Sequence, residues 1–218
     1  MQTSPAAVAL AHQLVATLPR EAPGLFNPWA GTCDQDLGNN GPEDKLGRLA
    51  AHLDCTPRFI LCGEAPGYQG CRHSGVAFTS ERLLLQGCIP RMPVHPAGTR
   101  LTARKLPFSE PSATIVWKAL YDLALESDTI LWNALQMHPH RPGETHSNRT
   151  PTDKELALGE PALRLLVAAF PGARLVAVGR KAEQLLADMG VPAVAQVRHP
   201  ANGGATAFAT GLRELAQR

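Results

Sequence analysis

Four short apolar runs, at 58–62, 129–133, 174–178 and 193–197, punctuate the chain and predict buried strands. Apolar residues recur at helical spacing between and around them, over 5–18, 43–53, 79–86, 112–125, 153–169 and 180–188. In the first of these segments Val8, Leu14, Val15 and Leu18 form the expected inner face, and Pro19 and Pro23 end the helix. Strands that alternate with helices predict an α/β domain with right-handed crossovers. The expected architecture is a three-layer α/β/α sandwich around a central, mainly parallel four-stranded sheet. Two stretches break the periodicity: a turn-rich one from Phe26-Asn27-Pro28-Trp29 to Gly41-Pro42, and a Pro-rich one over 89–111. No repeat or linker divides the chain, so residues 1–218 are expected to form a single domain.

Composition narrows the class. Of 218 residues, 44% are hydrophobic and 18% charged, the balance of an ordinary globular protein with a sizeable core. No apolar run is long enough for a membrane helix, and no signal peptide opens the chain, so a cytoplasmic protein without membrane partners is expected. A net charge of +2 permits nucleic-acid binding without arguing for it. Arginines are frequent in the loops, at Arg72, Arg91, Arg100, Arg104, Arg141, Arg149 and Arg198. The five cysteines are odd in number and form no CxxC pair, which suggests neither a disulfide framework nor a zinc site. His138, His140 and His146 sit among Pro139, Pro142 and Gly143, as solvated or DNA-facing loop histidines rather than metal ligands.

Three strands end in polar signals. The first runs into Gly63-Glu64-Ala65-Pro66-Gly67, the second into Trp132-Asn133-Ala134, and the fourth into Arg198-His199-Pro200-Ala201-Asn202-Gly203-Gly204. In a parallel sheet these ends meet at the carboxyl edge, where open α/β proteins bind ligands. Glu64, Asn133 and His199 would supply a carboxylate, an amide and an imidazole there, and Phe78 a stacking plane. That set suits a flat polar heterocycle such as a nucleobase. Singly, each residue is as well explained as a turn former, a cap or core; the joint placement carries the argument. No phosphate-binding loop, dinucleotide fingerprint or serine-hydrolase elbow is present.

In order and spacing these residues resemble the uracil-DNA glycosylase superfamily, over roughly residues 58–215. The resemblance lies in Gly63-Glu64-Ala65-Pro66-Gly67, then Gly75-Val76-Ala77-Phe78, then Asn133, then His199-Pro200-Ala201. Asn148-Arg149-Thr150-Pro151-Thr152 and Ala177-Val178-Gly179-Arg180-Lys181-Ala182 are similar to segments of its bacterial and archaeal iron–sulfur (thermophilic) branches. Those branches hold a [4Fe–4S] cluster on four cysteines. The N-terminal CxxC is absent here, and the two later ligand positions fall on Met137 and Gly159, so the chain is expected to be a divergent bacterial member with no cluster, metal or other cofactor.

The resemblance implies a monofunctional, monomeric base-excision repair enzyme that flips uracil out of DNA and hydrolyses its N-glycosidic bond, leaving an abasic site. Glu64 and His199 are the implied catalytic pair. Gly63, Ala65, Phe78 and Asn133 would hold the base. Pro66, Gly67, Arg149, Arg198, Pro200 and Asn202 would contact DNA. Ala65 stands where the best-known branch has a water-handling Asp, which leaves Glu64 as the nearby carboxylate. Gly67 stands where the uracil-strict branch has a Tyr that excludes thymine. No large apolar residue follows His199-Pro200, so a wedge comes from elsewhere or flipping relies on weak pairing. Two alternatives stay open: a DNA-binding relative that is weak or inactive in catalysis, and a glycosylase for another deaminated base such as hypoxanthine or xanthine.

Overall fold

The computed structural model describes residues 2–218. Its centre is a four-stranded parallel sheet in the order β3-β2-β5-β6, with β2 at Phe59–Gly63, β3 at Thr129–Asn133, β5 at Arg174–Val178 and β6 at Ala195–Val197. The expected three-layer α/β/α sandwich is what forms. A two-stranded antiparallel ribbon pairs β1 (Leu25–Phe26) with β4 (His138–Pro139).

The helices in chain order are α1 (Pro5–Ala16), α2 (Pro42–Leu53), α3 (Cys71–Ser74), α4 (Glu81–Leu85), α5 (Pro111–Asp122), α6 (Asp153–Leu156), α7 (Glu160–Ala169), α8 (Arg180–Asp188) and α9 (Ala205–Ala216). Successive strand residues point to opposite faces, which splits the core in two. Ile60, Cys62, Ile130, Trp132, Leu175 and Ala177 pack against α1, α2, α7 and α8. Phe59, Leu61, Leu131, Val176, Val178 and Val197 pack against α4, α5 and α9.

Several expectations are corrected. Val8 is 38% exposed; the inner stripe of α1 is Ala7, Ala11 and Leu14, continued by Leu18. The 153–169 segment is broken into α6 and α7 by a 3₁₀ turn at Ala157–Gly159, because Pro161 in the first turn of α7 has no N–H to continue a helix. Helix α9 was not expected, although Phe208, Leu212 and Leu215 repeat at helical spacing and are buried. The Phe26–Trp29 stretch is structural: Asn27 donates to Pro19 O at 2.9 Å and accepts from the Trp29 N–H at 3.0 Å, seating Trp29 in the core.

The Pro-rich segment is held by one carboxylate. Glu81, at the start of α4, accepts from the N–H groups of Leu101, Thr102 and Phe108, the Thr102 hydroxyl and Arg100 Nε. A second buried carboxylate, Asp36, does the same for the N-terminal loop. It accepts from Cys33 N, Asn40 Nδ2 and Lys45 Nζ and meets His73 Nδ1 at 3.1 Å. Burial opposes the ionisation of Asp36, but His73 and Lys45 beside it hold its carboxyl below the usual range.

Candidate active site

Strands β2 and β3 are register partners along their whole length, so Gly63 stands directly beside Asn133 at their carboxyl ends. The ladder continues past the strands, with Ala134 N–H on Gly63 O at 2.8 Å and Leu135 N–H on Glu64 O at 3.0 Å. The start of the Gly63–Gly67 turn is therefore held by backbone bonds. Gly63 must lack a side chain: a Cβ there would lie 2.7 Å from Phe78 Cζ and 2.8 Å from Asn133 Oδ1. Phe78 itself has φ +48°, an uncommon conformation for a bulky residue, which aims its ring at this turn.

A cavity of about 240 Å³ opens at this edge, and Glu64, Ala65, Pro66, Gly67, Phe78, Asn133 and His199 line it. The structure thus brings together residues from three strand ends and one loop, spaced over more than 130 positions of the chain. The volume lies below the ~300–1,000 Å³ of drug-sized ligand sites and suits one small heterocycle.

His199 follows β6. Its Nδ1 accepts the Ala201 N–H at 3.1 Å, which leaves the ring proton on Nε2. Burial, and then Arg198, push its pKa down, so the neutral imidazole with an Nε2–H donor is the form present at neutral pH. Tight packing fixes the ring: Gly204 has no room for a Cβ, which would meet His199 O at 2.0 Å, and Gly179 (φ +93°) lies against His199 Cβ. The ring centroids of Phe78 and His199 are 6.4 Å apart. Glu64 is partly exposed, with Lys181 Nζ 3.6 Å from Oε1.

Arg149, expected as a DNA contact, lines the cavity and is held by a network of hydrogen bonds within the protein. It donates to Gly24 O, His140 O, Thr150 O and both oxygens of Glu155, which uses all five N–H donors of the guanidinium. It ties three loops together at the wall of the cavity, which it lines, and in this structure all five donors are held within the protein. Arg198 and Asn202 are exposed beside the site and Pro200 is buried. His138 is a second correction: it is fully buried, not a solvated or DNA-facing residue. Arg72 donates to its Nδ1 at 2.9 Å, its Nε2 meets Ser147 O at 3.0 Å, and burial with Arg72 pushes its pKa down to about 3.

Sequence reading missed Glu110, Ser112 and Asn148, which also line the cavity. Glu110 precedes Pro111 at the start of α5, where an acid reads as an ordinary helix cap. Asn148 accepts the Tyr68 N–H at 2.9 Å and so joins the Gly63–Gly67 loop to the 148–152 segment.

The residues at the two later cluster-ligand positions do not fit an iron–sulfur cluster. Met137 offers a thioether inside the core, and a side chain on Gly159 would begin 1.9 Å from Ala134 O. The buried Cys33, Asp36 and His73 come within ligand distance of one another, but Lys45 already sits on Asp36 and Arg72 Nε on Cys33 Sγ.

The model of the Uracil DNA glycosylase superfamily matches residues 51–211. The chain belongs to the uracil DNA glycosylase superfamily. Its fold is similar to that of the crystal structure of wild-type SMUG2 from Pedobacter heparinus, with a TM-score of 0.62 at 15% identity over 96% of this chain and 99% of that one. Comparison with curated proteins returned no match. As a member of this superfamily the chain is a DNA glycosylase by descent. No helix among the described residues is long and apolar enough to cross a membrane.

Proposed function

We propose that this glycosylase releases uracil from DNA by hydrolysing its N-glycosidic bond, without a metal or iron–sulfur cluster. The observation that carries this reading is the convergence of Glu64, Phe78, Asn133 and His199 on one cavity at the carboxyl edge of the sheet. Phe78 stacks on the flipped ring. Asn133 offers a donor and an acceptor to the uracil lactam edge, and cytosine reverses that pattern. Bond cleavage leaves negative charge on the base and positive charge on the sugar. The Nε2–H of His199 donates to the developing base oxyanion, a contribution of about 3 kcal/mol in comparable oxyanion sites. Glu64 orients the water and faces the cationic sugar.

Gly67 supports a second reading, a broader range of deaminated bases, because no side chain there narrows the cavity. One assay separates the readings. Oligonucleotides carrying uracil, hypoxanthine or xanthine, single- and double-stranded, are incubated with the protein, cleaved with alkali and resolved on a gel. Strand scission at uracil supports the first reading; an inert wild-type protein on every substrate rules out catalysis.

A further inference from the structure

Glu110 is an unexplained carboxyl in the wall of the base cavity. It occupies the N-cap position of α5, yet its side chain makes no capping hydrogen bond. Its Oε2 is sealed from solvent and has no hydrogen-bond partner. Its Oε1 lies 3.4 Å from where a Cβ on Gly67 would stand, and a Cβ on Gly70 would fall 1.9 Å from Oε2. The glycines of the loop after β2 therefore make room for this carboxyl at the cavity wall. A capping residue would bond its own helix, and a structural ion pair would have a cation. Glu110 has neither: Oε2 is sealed against Gly70, and the half-buried carboxyl meets the cavity beside Gly67, where a bound base can supply the partner that the protein does not.

We propose that Glu110 is a base-reading residue of this cavity, presenting a neutral carboxyl whose O–H donates to a carbonyl oxygen of the bound base. The inference rests on the uracil reading above and adds a contact to it. An ionised carboxylate is an acceptor only and would repel a base oxygen, whereas the protonated acid supplies the missing donor. Burial favours the protonated form and raises its pKa to about 7. The charged and titratable groups around it are Glu64 on its loop, Cys71 on α3, Arg149 bound to Glu155, and His199 after β6. Arg82 of α4 reaches Thr114, one turn along α5. None of these makes a hydrogen bond or ion pair with the Glu110 carboxyl. Since its neutral form is the one below the raised pKa, base binding through Glu110 is present at pH 6 and lost as pH rises through 7.

The test is a binding measurement. Duplex DNA carrying 2′-fluoroarabino-uridine resists cleavage because the fluorine disfavours the sugar cation, and the same duplex with thymidine is the reference. Fluorescence anisotropy gives the uracil preference at pH 6 and pH 8 for wild type, Glu110→Gln and Glu110→Ala. A group titrating near 7 passes from about nine-tenths to about one-tenth protonated over this range, so the wild-type preference should fall about tenfold. Glu110→Gln carries a fixed amide donor and should exceed wild type at pH 8. Glu110→Ala should show the lowered preference at both pH values. A wild-type preference that does not change with pH, or a Glu110→Gln preference that falls in parallel with it, overturns the inference while leaving the uracil reading intact. A wild type without uracil preference at either pH overturns both.

Discussion

Gly63 and Asn133 stand side by side at the ends of β2 and β3, with Asn133 Oδ1 at 2.8 Å from the point where a Gly63 side chain would begin. The same missing side chain lets the Phe78 ring approach to 2.7 Å of that point. Gly63→Ala therefore overpacks the site, at a cost of about 1–3 kcal/mol in stability. Uracil release should fall far more than the melting temperature, because both base contacts shift together. Parallel melts and gel assays check this; equal activity of Gly63→Ala and wild type would refute it.

Three polar residues of the cavity should separate by kinetics. His199→Ala removes an oxyanion donor and should lower kcat about 10²–10³-fold. Glu64→Ala should cost about 10²–10⁴-fold, the range for a positioned base. Asn133→Ala loses buried base contacts of about 1–3 kcal/mol, and its effect should be greatest on the discrimination of uracil from cytosine. Single-turnover rates on uracil- and cytosine-containing duplexes measure all three.

Lys45 and Asp36 are both fully buried, with Nζ on Oδ2. Lys45→Met leaves the Asp36 carboxylate without its cation and should destabilise the fold by about 3–5 kcal/mol. For a chain of this size that is a fall of roughly 10 °C in melting temperature. Calorimetry of Lys45→Met beside the double variant Lys45→Met/Asp36→Asn should show a smaller loss in the double variant.

Arg149 holds Glu155 through two hydrogen bonds and three loop carbonyls through the remaining donors. Lysine keeps the charge but not the fork. Arg149→Lys should lower stability by about 1–3 kcal/mol in urea melts. With all five Arg149 donors held inside the protein, the salt dependence of DNA binding should stay as in wild type; a reduced salt slope would show that Arg149 contacts phosphate.

Stability should fall as pH drops below 6.5. Burial, with nearby Arg91, pushes the His52 pKa down to about 3, and His138 is likewise held at about 3. Between pH 6.5 and 3 the unfolded chain takes up both protons while the folded protein refuses them, so the folded state loses ground. Glu110, raised to about 7, keeps a proton in the folded state that the unfolded chain releases, and offsets one of the two down to the ordinary carboxyl range. These three groups together cost about 1.4 kcal/mol per pH unit between pH 6 and 5, and the lowered pKa values of His73, His95 and His199 act in the same direction. Thermal melts from pH 7 to 4 should show a steady decline; a flat profile would exclude neutral buried histidines.

The positions of β2, β3 and β5, their parallel sense in an α/β sandwich, and the strand-end residues Glu64, Asn133 and His199 are legible in the chain itself. These properties are local: runs of buried side chains set the strands, and turn chemistry marks their ends. Phe78 is legible as a candidate stacking ring, and the order of the family motifs strengthens that reading. Tertiary structure decided the rest. His138 reads as a loop histidine until Arg72 of a distant segment meets it. Arg149 reads as a free cation until Gly24, His140 and Glu155 use its donors. Glu110 reads as a helix cap until the chain folds its carboxyl against Gly67 and Gly70. In each case the partner lies outside the local pattern, and which polar groups are satisfied, buried or left over is settled only when distant segments pack.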